Sequence, residues 1–134
     1  MGGKSIVIVV DDDPAVRSSL CWLISSLDLD VQSYPSASAF LEAVPPSQRG
    51  CAILDVRMPG ISGLRLQQEI KERYPHLTTI VISAYGSRDT AARAIEQGAI
   101  GFLEKPVNDE VLLDLVRKGL ECPSAGGRNP RLPI

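Results

Sequence analysis

The stretch VIVVDDDPAV, residues 7–16, decides the fold. It joins a continuous run of β-branched residues to three adjacent aspartates and a proline. Apolar runs without alternation are typical of strands buried on both faces of a parallel sheet. Asp13 and Pro14 suit the N-cap and the first position of a helix. The stretch therefore predicts a buried strand that leads directly into a helix, with Asp11 and Asp12 at the carboxyl end of the strand.

The same strand–helix rhythm continues along the chain. Short apolar runs predict further strands at residues 31–34, 51–54, 79–83 and 101–104. Segments with helical periodicity predict helices from residue 13 to about 27, and at 36–44, 64–74, 89–97 and 108–120. Trp22 lies next to core positions of the first helix and is expected to pack there. Five such pairs predict an α/β domain whose parallel sheet carries helices on both faces and binds ligands beyond the carboxyl ends of its strands.

Composition limits the classes of function. The chain has 134 residues and 44% hydrophobic residues, which suits one domain, and its net charge of −2 gives no footprint for nucleic acid or anionic membrane. No apolar run approaches the roughly 20 residues of a membrane span, and the first run ends too soon for a signal peptide. Cys21, Cys51 and Cys122 are widely separated, which favours reduced thiols. These features predict a cytoplasmic protein that binds neither membranes nor nucleic acid.

The predicted strand ends bring chemistry together at one rim of the sheet. Asp55 follows the third strand, Ser83 ends the fourth and Lys105 follows the fifth, beside Asp11 and Asp12 at the end of the first. Clustered carboxylates suit a hard divalent cation such as Mg²⁺, and a lysine with a hydroxyl suits a phosphoryl group. Asp55 then becomes a candidate nucleophile toward phosphorus. The alternative is that these aspartates are only turn residues or helix caps, the role expected of the third aspartate in the run.

Four segments carry a resemblance to a known family. VVDDD, LDVRMPGISG, VISAYG and GFLEKP resemble, in order, the four signatures of response-regulator receiver domains in two-component signalling, and the sequence is most similar to the FixJ branch. The resemblance implies the CheY-like form of the doubly wound flavodoxin fold, (βα)5, with strand order 2-1-3-4-5. It implies a receiver domain over residues 4–121, followed by a flexible linker at 122–134.

The resemblance also implies roles for the acidic residues. Asp55 takes the place of the phosphoacceptor. Asp11 and Asp12 resemble the pair that holds Mg²⁺ or Mn²⁺, with Asp12 the more direct ligand, and Asp55 and the backbone carbonyl of Arg57 complete the set. Arg57 and Tyr85 occupy positions that tune the lifetime of the phosphoryl group in the family.

Further roles fall on the fourth and fifth strands. Lys105 resembles the lysine that pairs with the phosphoryl group, and its bond to Pro106 resembles the family's cis peptide. Ser83 takes the place of the hydroxyl residue that contacts the phosphoryl group. Phe102 occupies the place of the aromatic switch residue that turns inward when Ser83 moves, with a core aromatic as the alternative.

The family implies partners and leaves alternatives. The expected donor is the phosphohistidine of a sensor histidine kinase, docked near the first helix and the rim loops, and phosphorylation is expected to favour a homodimer through helix 4, strand 5 and helix 5. The output is either transcription, through a DNA-binding domain absent from this chain, or protein–protein interaction by a stand-alone receiver. A Mg²⁺-dependent phosphohydrolase, a flavin or nucleotide module and a degenerate scaffold are weaker alternatives. Arg57 stands where the haloacid dehalogenase type of phosphohydrolase usually has a second aspartate, so enzymatic turnover of other substrates is not expected.

Overall fold

A computed structural model describes residues 5–84 and 88–121 of the chain, and within them five strands alternate with five helices. Their bounds are β1 Ser5–Val10, α1 Pro14–Ser25, β2 Val31–Tyr34, α2 Ala37–Ala43, β3 Arg49–Asp55, α3 Gly63–Arg73, β4 Leu77–Ser83, α4 Arg88–Glu96, β5 Gly101–Glu104 and α5 Asp109–Glu121. The proposed linker, residues 122–134, lies outside the described residues, as does Tyr85.

The strands form one parallel sheet in the order β2-β1-β3-β4-β5, which confirms the predicted fold class and strand order. Val10 at the end of β1 is in register with Leu54, the residue before Asp55 in β3. Ser83 ends β4 one position beyond the partner of Asp55, which is Ile82. The carboxyl ends of the strands therefore reach the same edge of the sheet at nearly the same height.

Alternate residues of the strands are buried on opposite faces of the sheet. Ile8 and Val10 pack with residues of α2 and α3, whereas Val7 and Val9 pack with residues of α1 and α5. A smaller cluster fills the space beside α4 and comprises Leu64, Val81, Ala94 and Ala99. Both faces of the sheet are thus covered, which is why its strands read as uninterrupted apolar runs.

Local sequence sets where the helices begin. Asp13 caps α1 as predicted, since its Oδ1 accepts a 2.9 Å hydrogen bond from the amide of Ala15, and Pro14 is the first helical residue. Ser36 and Ser62 accept backbone hydrogen bonds at the starts of α2 and α3. These caps satisfy amides that have no partner within the helix, and they hold the rim loops between strand and helix in fixed conformations.

Several sequence-based details need correction. β3 and β4 each begin two residues earlier than predicted. In β4 the polar residue Thr78 is buried, and its hydroxyl lies 3.2 Å from the carbonyl oxygen of Gly119 in α5, so a polar residue is accommodated inside the strand. In β3 the added residues Arg49 and Gly50 pair with Ser5 and Ile6 of β1. The expectation that Trp22 packs in the core is wrong, since 77% of this side chain is exposed. None of the helices in the described part of the chain is long and apolar enough to cross a membrane.

Candidate functional site

Three carboxylates meet at the carboxyl edge of the sheet. Asp11 and Asp12 follow β1 directly, and Asp55 is the last residue of the neighbouring β3. One oxygen of each carboxylate lies within 4.8 Å of the others. Asp11 is fully buried and Asp55 is 4% exposed, whereas Asp12 faces solvent. The cluster thus combines two buried acids with one that is open to an incoming ion.

A single ammonium group balances the two buried acids. The Nζ atom of Lys105 lies 3.0 Å from Oδ2 of Asp11 and 3.5 Å from Oδ1 of Asp55. The backbone positions this lysine, because its amide donates a 2.9 Å hydrogen bond to the carbonyl oxygen of Ser83. The following peptide bond, to Pro106, is cis, the geometry that the resemblance implies. The sequence-predicted residues Asp11, Asp12, Asp55 and Lys105 are therefore in one place.

The environment shifts the protonation equilibria of this pair. Burial raises the pKa of Asp55 from 3.8 to about 6, and the nearby charge of Asp11 adds to the effect. Lys105 and a hydrogen bond from the backbone amide of Arg57 act in the opposite direction. Burial by itself would lower the pKa of Lys105, but the hydrogen bond and charge of Asp11 and the charge of Asp55 outweigh it and raise that pKa. Lys105 thus stays charged, and the pKa of Asp55 is about 6 in the absence of a metal.

Hydrogen bonds fix both the backbone and the side chain of Asp11. Its amide donates to the carbonyl oxygen of Tyr34 at 3.2 Å, and its Oδ1 accepts from the amide of Asp13 at 2.9 Å. Its carbonyl oxygen accepts a 2.7 Å hydrogen bond from the Nη1 atom of Arg17. Apart from the ammonium of Lys105 at 3.0 Å, its Oδ2 has no hydrogen-bond donor within the described residues. These contacts fix the side chain and leave one buried oxygen with unused acceptor capacity.

The donor set fits a hard divalent cation. Mg²⁺ takes oxygen ligands, uses one or two carboxylates, and keeps several waters. The three clustered carboxylates and the under-used Oδ2 atom of Asp11 supply such oxygens. Arg57 follows Asp55 by two residues in the rim loop, so its carbonyl oxygen is a candidate ligand from the same loop. A cation here would also offset the repulsion among the acids.

Ser83 and Phe102 lie on the two strands next to this site. Ser83 is 1% exposed and is in register with Glu104 on β5. Phe102 is in register with Val81 and is partly buried against the small cluster beside α4. β5 is the edge strand of the sheet. Ser83 therefore lies at the rim, and Phe102 lies next to the cluster beside α4.

Two residues of α3 make contacts that the sequence analysis missed, one with the site and one with the α4 region. Gly63 begins α3 so close to β3 that a Cβ atom there would overlap the backbone oxygen of Asp55. Gln67 is 1% exposed; its Nε2 donates to the carbonyl of Ala94 at 2.7 Å, and its Oε1 accepts from Gln97 at 2.8 Å. For Gly63, the sequence offered a signal, since a glycine directly follows Ser62. For Gln67 it offered none, because a glutamine within an amphipathic helix is ordinary.

An apolar groove opens beside the acidic site. It has a volume of about 690 Å³ and lies between α1 and the segment that follows β5. Its lining includes Val16, Leu20, Trp22 and Leu23 on one side and Lys105, Pro106 and Val107 on the other. Lys105 thus belongs both to the groove and to the acidic site, so a partner in the groove would be adjacent to Asp55.

Comparisons with known proteins identify the family to which this chain is similar. A profile of the response-regulator receiver domain family matches residues 7–117. The chain is 47% identical over 119 residues to the transcriptional regulatory protein TdiR of Thauera aromatica, a match that covers 89% of the chain and 52% of TdiR. It is 46% identical over 122 residues to the transcriptional regulatory protein FixJ of Azorhizobium caulinodans, covering 91% of the chain and 58% of FixJ. The crystal structure of FixJ-N aligns with a TM-score of 0.79 at 33% identity, over 89% of this chain and 95% of that one.

The chain therefore belongs to the response-regulator receiver domain family of two-component signalling. The predicted similarity to the FixJ branch is confirmed. The chain spans little more than half the length of the two curated relatives, 52% and 58% respectively. Receiver domains are signalling modules that interact with sensor kinases, and the acidic cluster described above is a possible metal site within this one.

Proposed function

We propose that Asp55 accepts a phosphoryl group in a reaction that needs Mg²⁺ or Mn²⁺ held by Asp11, Asp12, Asp55 and the backbone carbonyl of Arg57. One observation carries the proposal: three carboxylate oxygens lie within 4.8 Å of one another. The lysine ammonium that contacts two of these acids adds a positive charge at the same place. Purely structural aspartates would not need to share one small volume at the ligand edge of the sheet.

The proposed reaction transfers a phosphoryl group from a donor to Asp55. A carboxylate oxygen of Asp55 attacks phosphorus, the bond between phosphorus and the donor atom breaks, and the donor leaves with the electron pair. The ammonium of Lys105 and the hydroxyl of Ser83 contact the phosphoryl oxygens and stabilise their charge. A bound divalent cation supplies further charge neutralisation there. The same residues assist hydrolysis of the acyl phosphate, and Arg57 and Tyr85 tune its lifetime.

Phosphorylation then shifts the population between two conformations. We infer that Ser83 moves toward the phosphoryl group and that Phe102 turns inward into the space beside α4. The partial burial of Phe102 against the small cluster supports this role, because the ring already borders that space. The outcome is a changed surface on α4, β5 and α5.

Two surfaces suit two partners. The groove at α1 adjoins Lys105, so we propose that a sensor histidine kinase docks there and presents its phosphohistidine to Asp55. A second surface carries the apolar side chains Ile95 of α4 and Val111 of α5, which are 51% and 44% exposed, respectively. They support a phosphorylation-dependent homodimer through α4, β5 and α5.

The names of two relatives support a proposal for the biological output. Because TdiR and FixJ are named transcriptional regulatory proteins, we propose that this receiver, at residues 4–121, controls transcription in the cytoplasm through a DNA-binding domain outside this chain. Residues 122–134 would be the linker. A receiver that acts alone by protein–protein interaction is the second candidate, and a Mg²⁺-dependent phosphohydrolase is the third.

Intact-mass spectrometry tests the phosphoacceptor. Wild-type protein and Asp55→Asn are incubated with Mg²⁺ and acetyl phosphate, with and without a chelator. We expect one phosphoryl adduct that forms only with both Mg²⁺ and Asp55. A folded protein that forms no adduct would refute the proposal, and steady release of phosphate from many phosphate esters would favour the phosphohydrolase.

A further inference from the structure

We propose that Arg17 is a positioning residue for the divalent cation: it fixes the peptide group between Asp11 and Asp12 and thereby orients both carboxylates toward the ion. The inference rests on the proposed function, because it concerns the same metal site. It concerns a helix residue that does not belong to the acidic cluster itself.

The geometry carries the proposal. The guanidinium of Arg17 reaches back from α1 and donates a 2.7 Å hydrogen bond to the carbonyl oxygen of Asp11. That carbonyl belongs to the peptide that links Asp11 to Asp12, so its direction sets where the backbone of Asp12 begins. Asp12 is exposed, and no contact of its side chain within the described residues holds it in place. The backbone is therefore the part of Asp12 that the protein fixes.

A closed set of contacts holds Arg17 in turn. Its amide donates to the carbonyl oxygen of Asp13 at 3.0 Å, and the amide of Asp13 donates to Oδ1 of Asp11 at 2.9 Å. The first turn of α1 is thus connected by hydrogen bonds to Asp11 and Asp13. Arg17 is partly buried and forms no ion pair within the described part of the chain, although three acids stand nearby. Its single side-chain hydrogen bond goes to a backbone oxygen, which is the contact expected of an outer-shell support for metal ligands.

Charge and positioning predict opposite results when Arg17 is replaced. A guanidinium beside a cation site repels the ion, so removal of its charge would by itself tighten metal binding. Loss of an outer-shell hydrogen bond that orients ligands weakens metal binding, by about ten-fold or more. The sign of the change in affinity therefore separates the two roles.

The test is titration of the purified chain with Mn²⁺, followed by the electron paramagnetic resonance signal of the free ion. Arg17→Met removes both the charge and the donor, and Arg17→Lys keeps the charge and one donor. Arg17→Gln is a polar second variant whose amide ends short of the carbonyl. Arg65→Met, at an exposed position on α3, is the matched control for loss of an arginine. Thermal unfolding in chelator establishes that each variant is folded before titration.

We expect Arg17→Met and Arg17→Gln to bind Mn²⁺ about ten-fold more weakly than wild type, with Arg17→Lys intermediate and Arg65→Met unchanged. If folded Arg17→Met or folded Arg17→Gln bound Mn²⁺ as tightly as wild type or more tightly, the positioning role of Arg17 would be overturned. The metal site of the proposed function would be unaffected by that result. Absence of Mn²⁺ binding by the wild type would instead overturn the metal site of the proposed function, and this inference with it.

Discussion

The ammonium of Lys105 lies 3.0 Å from the fully buried carboxylate of Asp11, so one partly buried lysine neutralises an acid that water does not reach. When a buried ion pair loses one partner, the other charge is left uncompensated. This loss costs far more stability than the loss of one partner from a surface ion pair. Lys105 therefore stabilises the metal-free protein in addition to any role toward a phosphoryl group.

Lys105→Met should lower the free energy of unfolding of the metal-free protein by about 3–5 kcal/mol at neutral pH. Urea denaturation in chelator measures this change. Added Mg²⁺ should stabilise the variant more than the wild type, because the ion replaces the missing positive charge. Lys71→Met, at an exposed position of α3, is the control. Equal unfolding free energies for the two variants would contradict the prediction.

Asp55→Asn should stabilise the metal-free protein above neutral pH. The folded-state pKa of Asp55 is raised from 3.8 to about 6, so the folded protein binds this proton more tightly than the unfolded chain. The resulting stabilisation of wild type is complete below the ordinary pKa and is lost as pH rises through about 6. The unfolding free energy of Asp55→Asn should therefore increasingly exceed that of wild type as pH rises from the ordinary pKa to the folded-state pKa of Asp55. The difference should reach about 1–3 kcal/mol.

Urea unfolding across a pH series in chelator measures that advantage, with Asp114→Asn as the exposed control. An advantage that is the same at every pH would show that the pKa of Asp55 is not raised. In the same pH series with Mg²⁺, wild type should be more stable than Asp55→Asn, since the ion favours the charged carboxylate of wild type.

Gly63→Ala should damage the site without changing any of its reactive groups. A Cβ atom at this position overlaps the backbone oxygen of Asp55, so β3 and α3 must separate. We expect a loss of about 2–4 kcal/mol in unfolding free energy and slower phosphorylation by acetyl phosphate. Gly60→Ala is the control, because Gly60 has φ of 80° but nothing near its missing Cβ. That control should cost about 1 kcal/mol and leave phosphorylation intact; the same rate in both variants would contradict the role of Gly63.

Trp22→Ala should weaken phosphoryl transfer from the cognate kinase without changing phosphorylation by acetyl phosphate. The side chain is 77% exposed, so we expect a change in unfolding free energy within about 0.5 kcal/mol. An aromatic residue in an apolar groove is typical of an interface anchor, so transfer from the cognate kinase should show a KM raised about ten-fold or more. Phosphorylation by acetyl phosphate should not change. Ser18→Ala, an exposed α1 residue outside the groove, is the control. Unchanged kinase transfer would exclude Trp22 from the docking surface.

The sequence by itself determined the fold and the placement of the acidic cluster. Uninterrupted apolar runs, helix caps such as Asp13 and the positions of strand ends are local properties, and repeated βα units favour a parallel sheet with right-handed connections. The strand order was predicted from the resemblance to receiver domains. The sequence alone therefore predicts Asp11, Asp55 and Lys105 at one rim of the sheet. The roles assigned to them, and to Ser83 and Phe102, remain predictions that the experiments above address.

Only the tertiary structure decided which side chains support that rim. Trp22 lies two residues from the buried Leu20, about 200° around the helix, and only the packing of α1 on the sheet shows that this direction meets an open groove. The bond from Arg17 to the Asp11 carbonyl and the approach of Gly63 to Asp55 depend on how helices sit against strands. Local sequence sets the conformation of each element, but contacts between elements follow from their relative placement, which sequence periodicity does not encode.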